Sequence, residues 1–200
     1  HHPYELTTVT EGFAPNVKLC EEILGTMGIR VCEVNDYENM PFEENAFDII
    51  INRHGDYDVE ELYRILKPGG IFITQQVGED NDREFVKFLL PESEKAFPGM
   101  NLHCQKSLFE KAGFEILMEN EAWKPIEFYD VGALVWFVKI IEWEFVDFSV
   151  EQCFERLLEA QRLVEQEGCI KGNVHRYLIV ARKPVNERRL LPVNVGNSVL

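Results

Sequence analysis

The chain has 200 residues, 46% of them apolar, which is enough for one domain with a full hydrophobic core. No apolar run approaches the roughly 18 residues of a membrane span, and the five cysteines are scattered without a C-x-x-C pair, so we expect a cytoplasmic protein with neither a disulfide framework nor structural zinc. The net charge of −15 disfavours a nucleic-acid partner, because phosphate binding requires a basic face.

Strand-like and helix-like segments alternate along the chain. The predicted order is a strand at 4–10, a helix from Pro15 to Gly28, strands at 29–34 and 47–51, a helix at 58–66, a strand at 71–77, helices at 82–90 and 107–112, a strand at 114–118, a helix at 149–167 and a strand at 174–181. Three helix starts carry a capping pair three residues apart, namely Asp58 with Glu61, Ser107 with Glu110, and Ser149 with Gln152.

This alternation predicts an α/β fold in which a largely parallel sheet is buried on both faces. Sheets of this kind bind ligands in a crevice at the carboxyl ends of their strands. Phe47–Ile51 is expected to be such a buried strand, and polar residues and Gly55 follow it. We therefore expect one crevice to be lined by the polar residues at the strand ends: Glu11, Asp36, Asn52, Arg53, His54, Gln75 and Gln76.

Three stretches have the order and spacing of a known family's motifs. Residues 35–48, NDYENMPFEENAFD, are similar to a D-A-x-x-L-P-F…S-F-D pattern, and residues 63–70, YRILKPGG, match R-x-L-K-P-G-G. The third stretch is the first strand with its terminal acid, Glu11. Over residues 4–120 the sequence thereby resembles the class I S-adenosylmethionine-dependent methyltransferases. The resemblance implies a Rossmann-like sheet, mostly parallel with an antiparallel last strand and with helices on both faces, and S-adenosylmethionine as the cofactor.

The resemblance assigns the adenosine half of that cofactor to two strand ends. Glu11, next to Gly12, is assigned to the ribose hydroxyls, because a carboxylate can accept hydrogen bonds from both. Asp36 is assigned to the adenine amino group and the Tyr37 backbone N–H to a ring nitrogen, with Met40 flanking the adenine. The residues alone leave another interpretation open, in which Glu11 is a solvated strand-end acid and Asp36 forms a turn.

The methionine half and the acceptor are assigned to the next two strand ends. Asn52 is expected beside the methionine part, Arg53 and His54 near the methyl group or the acceptor, and Gln75 and Gln76 at the substrate. Histidine titrates near neutrality, so His54 is the candidate catalytic base for an acceptor that must lose a proton. Capping of the strand, or packing on the adenine, is the structural alternative for His54.

One part of the family pattern is not found. In the family a glycine-rich turn precedes the ribose acid, whereas no two glycines of this sequence have G-x-G spacing. We therefore expect a truncated chain that lacks the first strand, its glycine loop and the next helix. In the family that strand lies between those predicted near Tyr4 and Phe47. The expected consequences are weak or absent cofactor binding and unpaired strand edges, covered by dimerisation, strand exchange or rearrangement.

The rest of the sequence favours one domain, residues 1–183, followed by a tail at 184–200. Residues 121–148 are rich in aromatics, including Trp136, and are expected to form a substrate lid; core packing or an interface is the alternative. The acidity and the aromatics favour a small-molecule acceptor over RNA. Methyl transfer to such an acceptor is the first functional hypothesis. The second is a catalytically inactive binding or assembly module, and no metal site is predicted for either.

Overall fold

The computed structural model describes residues 3–185, which form six strands and six α-helices. The strands are β1 (Thr8–Glu11), β2 (Arg30–Glu33), β3 (Phe47–Arg53), β4 (Leu66–Val77), β5 (Glu115–Phe128) and β6 (Ile170–Arg182). The helices are α1 (Ala14–Leu24), α2 (Val59–Ile65), α3 (Arg83–Leu89), α4 (Leu102–Lys111), α5 (Val131–Ile140) and α6 (Phe154–Glu167). None of these helices has the length and hydropathy that a bilayer crossing requires.

The strands form two separately hydrogen-bonded groups. β1 and β2 pair in parallel, and the other four strands have the order β3-β4-β6-β5. β3 and β4 are parallel, whereas β6 is antiparallel to both β4 and β5 and is therefore the reversed strand of its sheet. The α/β class, with mostly parallel strands and an antiparallel last strand, is confirmed.

Two hydrophobic clusters hold the helices against the four-stranded sheet. One contains Phe85 of α3, Leu134 of α5 and Ala160 of α6, and the other contains Leu62 of α2 and Phe109 of α4. Each of the leucine and phenylalanine side chains stabilises the fold by about 1.5–3 kcal/mol when it is fully buried. Packing from these helices fixes the positions of the loops that follow β3 and β4.

The predicted start of a helix at Ser107 is wrong. α4 begins after Asn101, whose side-chain oxygen accepts a hydrogen bond from the Cys104 backbone N–H at 2.9 Å. Ser107 lies inside the helix and donates its hydroxyl to the His103 carbonyl at 3.0 Å. A mid-helix serine commonly bonds to the carbonyl four residues back, and the sequence pattern cannot distinguish that arrangement from a cap.

The other two capping oxygens are confirmed. The Asp58 side chain accepts from the Glu61 backbone N–H at 2.8 Å, and the Ser149 hydroxyl accepts from the Gln152 backbone N–H at 3.1 Å. α6 itself begins at Phe154, five residues after Ser149 and after a further turn, later than predicted. Gly168 ends α6 with a φ of 87°, as expected for a left-handed C-cap.

The prediction that 47–51 is a buried strand is half right. The strand exists and extends to Arg53, but Ile49 is 58% exposed and Ile51 is 67% exposed. Their side chains lie on one face of β3, and the described residues do not cover that face. An apolar run predicts a strand from its composition, but its burial depends on what packs against it.

Several bounds differ from the predictions. Residues Tyr4–Leu6 form a 3-10 turn and not the start of β1, and β5 extends to Phe128. The aromatic segment 121–148 is thus divided among the second half of β5, helix α5 and the turns that follow. The tail predicted at 184–200 lies outside the described residues from position 186 onward.

Candidate functional site

Glu11 at the end of β1 is held by the start of α1. Its Oε1 accepts the backbone N–H groups of Gly12 and Phe13, each at 2.9 Å, and the Asn16 side-chain amide lies 3.3 Å from Oε2. The bond from the Phe13 N–H is the main cause of a lowered pKa for this carboxyl, so Glu11 is ionised at neutral pH. The carboxylate therefore lies at the carboxyl end of the strand, as the sequence predicts.

The loop after β2 carries Asp36 and Met40. Asp36 Oδ1 accepts the Glu38 backbone N–H at 3.0 Å, which is the turn-forming bond that the alternative interpretation predicts. The Met40 backbone N–H donates to Glu61 Oε1 at 2.7 Å, and the Glu61 carboxylate in turn accepts two hydrogen bonds from Arg64. The buried Glu61 thus anchors this loop to α2, and its side chain does not complete the predicted capping box.

A hydrogen-bond network joins the ends of β3 and β4. Asn52 Oδ1 accepts from Gln76 Nε2 at 2.6 Å and from the Thr74 hydroxyl at 3.2 Å. The same Gln76 nitrogen donates to the Gly55 carbonyl at 3.0 Å, which ties down the loop after β3. Two predicted site residues, Asn52 and Gln76, are thus brought into direct contact.

The next residues of β3 are fixed by Gln75. Arg53 Nε donates to Gln75 Oε1 at 3.2 Å, and the His54 backbone N–H donates to the Gln75 carbonyl at 3.1 Å. His54 has a φ of 56°, a left-handed conformation that is uncommon outside glycine. Backbone conformations of this kind are concentrated at functional sites, and His54 lies at the carboxyl end of β3. Burial, with the nearby charges of Arg176 and Arg53, lowers the pKa of His54, so its imidazole is neutral at pH 7.

A cavity of about 430 Å³ opens beside these strand ends. His54 and Gln76 line it on the sheet side, and Phe137, Ile141 and Trp143 line it on the side of α5. The predicted substrate residue Trp136 does not line the cavity and is 67% exposed. Phe137 and Ile141 are one helical turn apart, so they share a face of α5 that Trp136 does not share.

Four charged residues that the sequence analysis does not single out also line this cavity: Asp56, Asp82, Glu144 and Arg176. Burial raises the pKa of Asp82 to about 6, with partial opposition from Arg176. Burial and the neighbouring Asp82 charge raise the pKa of Glu144 to about 7. One signal was available in the sequence, because an arginine inside the otherwise apolar strand VHRYLIVA is unusual.

A second cavity, of about 240 Å³, lies between β1 and β3. Thr8 and Thr10 of β1, Ile49 and Ile51 of β3, and Met40 line it. Neither strand is hydrogen-bonded to the other, so between residues 3 and 185 the edges that face this cavity have no strand partner. Glu11 and Asp36 belong to the β1–β2 side of this gap, and Asn52, Arg53 and His54 belong to the β3–β4 side.

Metal-binding clusters are absent between residues 3 and 185, where no three His, Cys, Asp or Glu side chains converge suitably. Both ring nitrogens of the fully buried His175 already have partners within the protein. Its Nδ1 accepts the Asp80 backbone N–H at 3.2 Å, and its Nε2 lies 2.9 Å from a Glu121 oxygen. Its ring stacks on Trp123 with centroids 4.4 Å apart.

Comparison with known proteins bears on the family. Residues 7–74, about a third of the chain, match the family described as "Methyltransferase domain". No curated protein matches the sequence. The matched segment runs from β1 to Thr74 of β4 and contains the NDYENMPF and YRILKPGG stretches. Residues 7–74 are therefore similar to a methyltransferase domain.

Solved structures agree with this fold. A Bacillus halodurans protein assigned as a methyltransferase has a TM-score of 0.58 at 18% identity, over 88% of this chain and 82% of that one. The YcgJ protein of Bacillus subtilis has a TM-score of 0.54 at 18% identity, with the same coverage of both chains. A Methanosarcina mazei SAM-dependent methyltransferase has a TM-score of 0.50 at 13% identity, over 89% and 82%. These likenesses establish the fold.

The residues at these strand ends offer a partial fit to S-adenosylmethionine, the cofactor that the family resemblance implies. On the adenosine side, the Glu11 carboxylate, the exposed Asp36 carboxylate and the Met40 side chain are chemically suited to the ribose, the adenine amino group and the adenine face. On the methionine side, a cofactor carboxylate and amino group would need a backbone cradle between β1 and β3. Within residues 3–185 that place is the open cavity, and no glycine loop lies there.

Proposed function

We propose that this domain transfers a methyl group from S-adenosylmethionine to a small-molecule acceptor bound in the 430 Å³ cavity. The observation that carries the proposal is that this cavity adjoins the carboxyl ends of β3 and β4, where His54 and Gln76 line its wall. Ligands of open α/β sheets bind at such strand ends. The cavity has the size and mostly apolar lining that small-molecule sites usually have. The scattered free cysteines support a cytoplasmic location.

His54 is the proposed base for an acceptor that loses a proton. Its imidazole is neutral near pH 7, because burial and two arginine charges lower its pKa, so it is free to accept a proton. The cofactor supplies the electrophilic methyl group, and the protein mainly aligns the acceptor with it. The bonds among Asn52, Gln76 and Gly55 support this alignment by fixing the loop that bears His54.

We expect the 200-residue chain alone to bind S-adenosylmethionine weakly. The adenosine-side groups are in place, but the cavity between β1 and β3 contains no cradle for the methionine half. The test is isothermal titration of the cofactor and its demethylated product into two chains. One is this chain, and the other carries an additional upstream strand with a G-x-G loop. Binding only to the extended chain is the expected result.

Two results would contradict the proposal. Micromolar affinity of the 200-residue chain would show that the cradle is not needed. Absence of binding to both chains would mean that the Glu11 and Asp36 assignments are wrong. The alternative would then apply, namely a catalytically inactive methyltransferase-like binding or assembly module. One observation favours that alternative, since Glu11 already serves as an acceptor for the start of α1 and Asp36 already closes a turn.

Self-association is proposed for the same open region. β3 presents an unpaired edge among the described residues, together with the exposed side chains of Ile49 and Ile51. Such an edge is prone to pairing with another chain. We expect the chain to sediment as a homodimer, and Ile51→Lys to shift it towards the monomer. Sedimentation velocity measures both, and a wild-type monomer at all concentrations would refute the proposal.

A further inference from the structure

One wall of the 430 Å³ cavity is more acidic than an apolar acceptor requires. Asp82 and Glu144 line it together with one cationic side chain, Arg176. Asp82 is 1% exposed, and its Oδ1 has no hydrogen-bond partner within the described part of the chain. A buried carboxylate oxygen without a partner costs free energy, and such atoms in native structures call for an explanation.

Arg176 offsets the acidic charge of this wall only in part. Its Nη1 donates to Asn81 Oδ1 at 2.6 Å and to the His175 carbonyl at 2.8 Å, so its best-placed donor is used by neutral oxygens. No ion pair within 4.0 Å joins it to a carboxylate among the described residues. The lining thus holds the carboxyls of Asp56, Asp82 and Glu144 against one arginine, Arg176. Arg83 adds positive charge from outside the lining. When the acids are ionised, negative charge therefore exceeds the positive charge within the lining of a low-dielectric site.

The apolar part of the lining is suited to an organic cation with an apolar body. Phe97, Met100, Phe137, Ile141 and Trp143 form it. Aromatic faces attract cations as well as apolar groups, and Met adapts to irregular ligands. A neutral or anionic ligand would gain from these residues but would leave the acidic pair without a partner.

We propose that Asp82 and Glu144 bind the ammonium group of an amine ligand whose apolar body lies against Phe137 and Trp143. Binding of the amine does not depend on methyl transfer. Only the identification of this amine as the methyl acceptor rests on the proposed function. Both carboxylates would accept charge-assisted hydrogen bonds from the ammonium. The raised pKa values of the two acids agree with a site whose charge is unbalanced without a ligand.

The test uses three probes of similar shape and needs no cofactor. Isothermal titration of the full chain with 2-phenylethylamine, 2-phenylethanol and 3-phenylpropanoate is run at about pH 8, where both carboxylates are ionised. We expect the amine to bind about tenfold or more tightly than the alcohol, since only the amine pairs with the buried charges. Equal affinities of the amine and the alcohol would overturn the proposal, as would no amine binding. Preference for the carboxylate probe would show that Arg176 selects an anion.

Variants then locate the ammonium site. Asp82→Asn and Glu144→Gln are each expected to weaken amine binding about tenfold while changing alcohol binding less than about twofold. Glu142→Gln removes the same charge from an exposed position two residues away and should change neither. If Asp82→Asn does not fold, Glu144→Gln decides the matter. If the amine binds selectively but neither the 200-residue chain nor the extended chain binds the cofactor, the ammonium site stands. Its role as a methyl-acceptor site is then refuted.

Discussion

Replacing Gly78 with alanine is expected to lower the free energy of unfolding by about 3 kcal/mol or more, beyond the usual cost of overpacking. A Cβ at this position would lie 2.1 Å from Nδ1 of His175 and 2.2 Å from its Cε1. The ring cannot move aside, because it stacks on Trp123 and is bonded at both nitrogens. Urea unfolding of the variant measures the loss.

Gly25→Ala is the matched control. Nothing lies within 4 Å of a Cβ at position 25, and the backbone there is right-handed helical, with a φ of −60°. Its unfolding free energy is expected to be unchanged or to rise by a few tenths of a kcal/mol. A Gly78→Ala variant whose stability equals that of Gly25→Ala would refute the prediction. Because Asn81 and Asp82 lie three and four residues after Gly78, the disruption is also expected to weaken amine binding.

The local patterns of the sequence predicted the order of helices and strands well, and the burial of their side chains less well. The Lys67-Pro68-Gly69-Gly70 stretch identified the end of α2, because proline and glycine constrain the backbone locally. The start of β4 was predicted wrongly, since the strand expected at 71–77 begins at Leu66 and includes these four residues. The burial of Ile49 and Ile51 was predicted wrongly, since burial depends on distant segments. For the same reason Trp136 could not be separated from Phe137 or Trp143 by composition alone.

The acidic wall shows why part of the site was beyond a sequence pattern. Asp82 follows β4, Glu144 follows α5 and Arg176 lies in β6, so they meet only because β6 inserts between β4 and β5. Asp82 and Glu144 each resemble an ordinary surface charge in the sequence, and only Arg176, inside an apolar strand, is unusual. The strand ends at Asn52 and Gln76 were predictable, in contrast, because parallel strands bring consecutive carboxyl ends to one edge.

Glu144 links this site to stability, and its replacement by glutamine is expected to stabilise the protein at pH 8. Burial and the charge of Asp82 raise the pKa of its carboxyl to about 7 in the folded protein, from the ordinary glutamate value of 4.5. Between these two values the folded state binds more protons than the unfolded state, so the free energy of unfolding falls as pH rises. The loss is complete above the folded pKa and amounts to about 3 kcal/mol.

Glutamine cannot ionise, so Glu144→Gln escapes this loss. We expect it to exceed the wild type by about 2 kcal/mol in unfolding free energy at about pH 8, and by little at about pH 4.5. Urea unfolding across this pH range provides the measurement, with Glu142→Gln as the exposed control. A Glu144→Gln advantage that does not change with pH would contradict the assignment. The charges of Asp82, Arg83 and Arg176 also act on the Glu144 carboxyl, so each sets part of the change of unfolding free energy with pH.

Saturating 2-phenylethylamine should reduce the pH dependence of the wild type, because an ammonium partner favours the ionised carboxyl and lowers its pKa. In the Glu144→Gln variant, the same amine should leave the pH dependence of the unfolding free energy nearly unchanged, because the variant has no titrating carboxyl at position 144. The negative charge of Glu144, which lowers the unfolding free energy of the free protein, is thus also the charge that selects the amine ligand. Loss of stability at a ligand site is the usual consequence of holding unpaired polar groups ready for a partner.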